Sequence, residues 1–147
     1  MKYLMYGGIA IGVLVLLGIG AFFYLGMQSK NGTAPGLIEG QLTACPDSPN
    51  CVSSETDTPY EKRVDPLPLS TWDALPAALE DMGGSVTVQE DGYIAAEFTS
   101  AIFGFVDDVE FRRTDAAVQV RSASRVGHSD AGVNADRVAA LREALGG

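Results

Sequence analysis

Residues 105–125 decide the fold: Phe105-Val-Asp-Asp-Val-Glu-Phe-Arg-Arg-Thr-Asp-Ala-Ala-Val-Gln-Val-Arg-Ser-Ala-Ser-Arg125. Apolar side chains fall at Phe105, Val109 and Phe111, and again at Val118 and Val120. Asp108, Glu110 and Arg112, then Gln119, Arg121 and Arg125, hold the alternate positions. That period of two describes strands over 105–113 and 117–125, each with one apolar face. Thr114 to Ala116 leave room only for a short turn, so the strands pair antiparallel. With the apolar faces together, two registers are natural, one setting Asp108 and the other Glu110 opposite Arg121. Either way Arg121 meets an acid on the outer face, while Ser122 and Ser124 lie inward near Asp107. An exposed pair of this kind contributes only ~0.2–1 kcal/mol, so Arg121→Ala is expected to lower stability modestly.

Upstream, residues 85–90 alternate, Gly92 marks a turn, and residues 93–99 set Ile94, Ala96 and Phe98 against Glu97 and Thr99. Four strands joined by short connections form an antiparallel meander whose apolar face needs helices to cover it. One precedes it: Leu75, Ala78, Leu79 and Met82 make a helical stripe closed by Gly83-Gly84. Among Ser70, Thr71 and Asp73, a cap at Asp73 puts Pro76 in the first turn, where its missing N–H costs nothing. Trp72 is expected to staple this helix to the core. The other follows the strands, with Asn134 as its cap and Val138, Leu141 and Leu145 as its stripe. The expectation is an α+β two-layer sandwich of helix, four strands, helix.

At the other end, no charged residue occurs from Leu4 to Met27. About 20 apolar residues in a helix cross a ~30 Å hydrocarbon core, so residues 4–27 read as a transmembrane anchor. Gly26-Met27-Gln28-Ser29-Lys30 offers no small-residue cleavage site, which favours an uncleaved anchor over a signal peptide. Tyr3, Tyr6 and Tyr24 sit near its ends, at headgroup level. Gly8 and Gly12 form a G-x-x-x-G able to seat a partner helix. Residues 28–44, with Asn31-Gly32, Pro35-Gly36 and Gly40, read as a flexible linker. The soluble domain then spans 45–147.

Cys45-Pro-Asp-Ser-Pro-Asn-Cys51 holds the only two cysteines. Its prolines and turn-forming residues bring the thiols together, and a disulfide is expected if the domain lies outside the cytosol, with free thiols as the alternative. Zinc would need two further ligands, and a redox pair lacks the C-x-x-C spacing. Leu42-Thr43-Ala44-Cys45 resembles a lipobox but stands too far from the apolar segment. Pro59, Pro66 and Pro68 keep residues 52–69 irregular.

The chain carries 10 basic and 19 acidic residues, a formal net charge of −9, and every acid lies beyond the anchor. A nucleic-acid backbone would be repelled, so that class of partner is excluded. With 147 residues there is room for one core besides the anchor.

The polar residues Asp107, Asp108, Arg121, Ser122, Ser124, Arg125, His128, Ser129 and Asp130 collect at one end of the hairpin. Three stretches stand out: Cys45-Pro-Asp-Ser-Pro-Asn-Cys-Val-Ser-Ser54, Phe103-Gly-Phe-Val-Asp-Asp108, and Arg121-Ser-Ala-Ser-Arg-Val-Gly-His-Ser-Asp-Ala-Gly-Val-Asn134. Together they resemble the domain of unknown function 1499 family of bacteria and photosynthetic eukaryotes, over about residues 42–145. The resemblance implies no activity, cofactor or catalytic residue. Ser124 or Ser129 with His128 and an acid would suit a small hydrolase using Asp108 or Asp130, yet no G-x-S-x-G elbow accompanies them. Asp107, Asp108, His128 and Asp130 match no metal-loop spacing, and no metal or cofactor is assigned. Arg121 and Arg125 are expected to neutralise Asp108 and Glu110 rather than grip an anion. Ser129, Asp130 and Asn134 are expected to cap the last helix.

These readings converge on a single-pass protein of the inner membrane, its C-terminal domain facing the periplasm. It is expected to act as a non-catalytic binding or accessory module. The rivals are the hydrolase and a carrier holding a small or lipidic ligand between sheet and helices.

Overall fold

The computed structural model describes residues 2–146. The uncharged segment forms one helix, α1 (Lys2–Ser29), of which Tyr6–Ser29 is long and apolar enough to cross a membrane. After it come a small hairpin, β1 (Leu37–Ile38) and β2 (Gln41–Leu42), and two short strands, β3 (Cys51–Ser53) and β4 (Leu67–Pro68). Next are α2 (Leu75–Asp81), β5 (Ser85–Glu90), β6 (Tyr93–Thr99), β7 (Val106–Arg113), β8 (Ala117–Ser124) and α3 (Val133–Ala144). The class is α+β, and the meander β5–β8 stands within a residue of the expected limits.

The main sheet has six strands, not four. It runs β3-β8-β7-β6-β5, with β3 on Arg121–Ala123 and β4 on Ala117–Val118, both antiparallel to β8. Strands of three and two residues are too short to show a period, and the prolines around them mask the rest. In the β7–β8 hairpin Glu110 faces Arg121. The turn selects this register: the Thr114 N–H donates to the Ala117 carbonyl at 2.9 Å, leaving only Asp115 and Ala116 between that bonded pair.

One face carries the core. Ile94, Ala96, Val109, Phe111, Val118 and Val120 meet Leu75 and Leu79 of α2 and Val138 and Leu141 of α3, all nearly inaccessible to water. Trp72 packs against this cluster, with the Arg113 guanidinium 5.7 Å from its ring centroid. Both helix starts differ from expectation. A 3-10 turn over Leu69–Ala74 leads directly into α2, so Ala74 rather than Asp73 stands at the cap and no side chain caps it. The preceding carbonyls accept in place of a cap, as the Leu75 N–H to the Trp72 carbonyl shows. At α3 the cap position is Gly132, with φ 87°, a left-handed conformation that glycine adopts without strain. Asn134 lies inside that helix, fully buried.

The second face of the sheet is covered rather than solvated. Of residues 28–44, expected as a flexible linker, the first two end α1 and the stretch 31–44 lies across this face: Leu42 is buried with Tyr93 and Ala95, and Ala34 packs beside them. Arg112 grips Glu55 through two bonds of 2.8 and 2.9 Å, and the Glu55 Oε1 that accepts from Arg112 Nε also accepts the Leu42 N–H at 3.0 Å. Asp108, Glu110 and Arg121 are therefore buried, where the alternation alone places them in water.

Cys45 and Cys51 are disulfide-bonded with their Cα atoms 5.6 Å apart, so Cys45 has no free thiol to acylate. The Ser48 hydroxyl bonds Asn50 Oδ1 inside the loop, and the Lys62 ammonium donates to the Pro46 carbonyl. A sequence separation of 6 closes a short loop, so replacing both cysteines by serine is expected to cost about 2 kcal/mol. The urea midpoint measures it, and a reductant should reproduce the loss in the parent chain while leaving the double variant unmoved.

Candidate functional site

Asp107 and Asp108 are consecutive in β7 and point to opposite sides of the sheet. That parity divides the expected polar cluster into two networks.

On the helix side the centre is Asn134. Its Oδ1 accepts from the Ser122 hydroxyl at 2.6 Å and from Arg137 at 2.6 Å. Its Nδ2 donates to Ser124 Oγ at 3.1 Å, Asp130 Oδ2 at 2.8 Å and the Asn50 carbonyl at 3.2 Å. Arg137 continues to Asp107 at 2.7 Å, and its guanidinium lies 4.7 Å from the Phe98 centroid. Asn50 reaches back through Nδ2 to the Gly127 carbonyl at 2.8 Å, tying the disulfide loop to the β8–α3 connection. Asp130 performs the capping, accepting the Gly132 N–H at 3.1 Å and the Asn134 N–H at 2.8 Å. Burial pushes its carboxyl up, but these bonds outweigh burial and hold it below the usual carboxylate range. A folded-state value below the unfolded one contributes stability above the ordinary carboxylate pKa and loses it as pH falls.

On the other side Arg125 forms a two-pronged pair with Asp108, 2.8 Å from Nε and 2.6 Å from Nη2, and also meets Glu97. Its third nitrogen donates to the Ser29 carbonyl at 3.2 Å, a cation set at the C-terminal end of α1. Arg121 pairs with Glu110 at 2.9 Å. The other Glu110 oxygen accepts from the Tyr93 hydroxyl and the Gly36 N–H, both at 2.8 Å. Burial, the bond to Glu110 and the charges of Glu110 and Asp108 raise the Tyr93 phenol well above its ordinary value of 10.0. The neutral phenol thus contributes stability below pH 10.0 that is lost as pH climbs beyond it. Tyr93→Phe is expected to flatten that alkaline decline, as read from unfolding midpoints across a pH series.

His128 and Ser129 stand apart, exposed in the β8–α3 connection. Among the described residues His128 has no hydrogen bond to a serine or an acid, and Ser124 Oγ accepts from Asn134 Nδ2 instead. No nucleophile and base are joined. Nor do Asp107, Asp108, His128 and Asp130 converge on one point, and among the described residues no group of three ligating side chains could hold a metal.

What the geometry does form is a cleft of about 420 Å³ where α1 meets the domain. Phe22, Leu25, Phe105, Val126 and Val133 give it an apolar wall, and Ser124, His128, Ser129, Asp107 and Asp130 border it. Five of the nine expected residues therefore share one cavity, while Asp108, Arg121, Ser122 and Arg125 do not line it. Asn50, Glu97, Tyr93 and Arg137 are the participants that the pattern did not single out. Arg137 was legible in principle, three residues beyond Asn134 and so on the same face of α3.

The three sequence stretches meet in this framework, since Asn50, Asp107 and Asp108 each bond to the segment that follows β8 or to α3. Residues 41–145 match the family described as Protein of unknown function (DUF1499). The chain belongs to the DUF1499 family. No curated protein and no solved structure matches it. The DUF1499 match excludes α1, so the cleft joins a family surface to an element outside the matched residues.

Proposed function

We propose that this DUF1499 protein is a non-catalytic binding module held at a membrane by α1. Its cleft at the anchor–domain junction is the surface that receives a ligand or partner. One observation carries the reading: the acids, arginines and buried serines of the expected cluster are partnered with one another, whereas the adjoining cleft is walled by apolar side chains. A cavity of that character favours an amphipathic molecule or an apolar side chain over a charged substrate. The disulfide supports an oxidising compartment, hence a single-pass topology with the domain in the periplasm and the anchor in the inner membrane. Gly8 and Gly12 leave open space on α1 where a second helix would fit.

A photo-crosslinking side chain at Val133, on the cleft wall, should capture a defined adduct in native membranes. The same group at exposed Gln89 on β5 should not. Equal products at both positions, or none at Val133, would remove the cleft from consideration. A reporter active only in the cytoplasm, fused to the C-terminus, should stay silent if the domain is periplasmic.

A further inference from the structure

We propose that the β6–β7 loop, residues 100–105, is a second membrane contact that enters the interface of the bilayer beside α1. This proposal rests on α1 lying in a bilayer, and it does not depend on what the cleft binds.

The loop is a tight structure. The Ser100 N–H donates to the Phe105 carbonyl at 2.8 Å, the Phe105 N–H returns to Ser100 Oγ at 2.9 Å, and the Gly104 N–H meets the Ser100 carbonyl at 3.1 Å. It is fixed against the last turns of α1. The Phe103 ring centroid lies 5.2 Å from those of both Phe22 and Phe23, and Phe105 stands edge-on to Phe22 at 6.2 Å. Contact is close enough to require glycine: a Cβ on Gly26 would fall 1.8 Å from the Phe103 carbonyl oxygen. Ser29 secures the end of the helix by accepting the Val106 N–H at 3.0 Å.

These contacts set the loop's depth. A helix of 28 residues is about 42 Å long, against a hydrocarbon core of ~30 Å, so its last turns emerge at the headgroup level. Phe22 and Phe23 occupy the turns just below that exit, and whatever packs on them shares their depth. The loop suits that position. In a chain of net charge −9, the run Phe98–Val106 carries no charge at all, and Ile102 at its tip is 74% exposed. Lys30 lies alongside Gly104, where an ammonium meets lipid phosphates while its stem covers apolar surface. Continuity with the anchor therefore selects the bilayer as the occupant rather than a second copy of the chain or another protein.

The test uses the full chain reconstituted in vesicles of phosphatidylcholine and phosphatidylglycerol, with acyl-brominated lipids as quenchers. One tryptophan is added at a time to the parent, whose Trp72 sets the background. Ile102→Trp should emit at shorter wavelength than Tyr60→Trp, which is exposed on the domain, and should be quenched most by lipids brominated near the headgroup. Val15→Trp, in the middle of α1, should be quenched most by deeply brominated lipids. Quenching of Val15→Trp without quenching of Ile102→Trp would overturn the loop contact alone. Quenching of neither would show that α1 is not inserted, and the proposal falls with it.

Discussion

Arg121→Ala is expected to destabilise the domain by about 3–5 kcal/mol, the cost of leaving a buried charge without its partner. Glu110 is wholly inaccessible to water and Arg121 is 7% exposed, so neither can trade the pair for hydration. The remaining neighbours of Glu110, the Tyr93 hydroxyl and the Gly36 N–H, donate hydrogen bonds but bring no compensating charge. This reverses the modest effect expected for an exposed pair. Urea unfolding followed by Trp72 fluorescence measures the loss, and a value under about 1 kcal/mol would mean that Glu110 reaches solvent. Adding Glu110→Gln to Arg121→Ala should restore part of the stability, because the amide oxygen still accepts from Tyr93 and Gly36 while the buried charge is gone. A double variant no better than the single would locate the cost in lost packing instead. Since Gly36 belongs to the segment lying across the sheet, the single variant should also expose residues 31–44 to protease.

β5 and β8 are legible because each alternates for six to eight residues, and the same alternation misleads about the second face of the sheet. Charged residues opposite an apolar face ordinarily mean water. Here Tyr93-Ile94-Ala95-Ala96 already contradicts that reading, for an apolar run without alternation marks a strand buried on both sides. The covering residues gave no comparable signal, since β1 and β2 are two residues each and their glycines look like a linker. Asn134 differs from expectation for a related reason. Ser129, Asp130 and Asn134 all stand before a helical stripe and resemble caps, and the hydrogen bonds select Asp130 for that task and turn Asn134 inward. The docking of α1 on the Phe103 loop had no sequence signature beyond a glycine, Gly26, among many in an apolar helix.

Asn134→Ala is expected to cost about 3 kcal/mol, because it removes the hub of the helix-side network and leaves buried groups to lose their partners at about 1–3 kcal/mol each. The Ser122 hydroxyl, with no water access, loses its acceptor, and Asp130, Ser124 and the Asn50 carbonyl each lose a donor. Arg137 keeps Asp107 but no longer bridges it to the start of α3. If packing alone were responsible, Asn134→Asp, which preserves volume and the Oδ1 acceptor, would be nearly neutral at every pH. The network makes a different demand. The new carboxylate would stand where Nδ2 now donates to Asp130 Oδ2 at 2.8 Å, facing a like charge. One of the two carboxyls must then hold a proton in the folded state, so its pKa is raised above the unfolded value. A raised folded-state value contributes stability at acidic pH and loses it as pH rises, opposite in sign to the contribution of Asp130 in the parent chain. Unfolding midpoints measured from mildly acidic to neutral pH should therefore fall for Asn134→Asp relative to the parent. Parallel curves would show that Asn134 serves as filler, leaving the tie between the disulfide loop, β8 and α3 to Arg137 and Asp107.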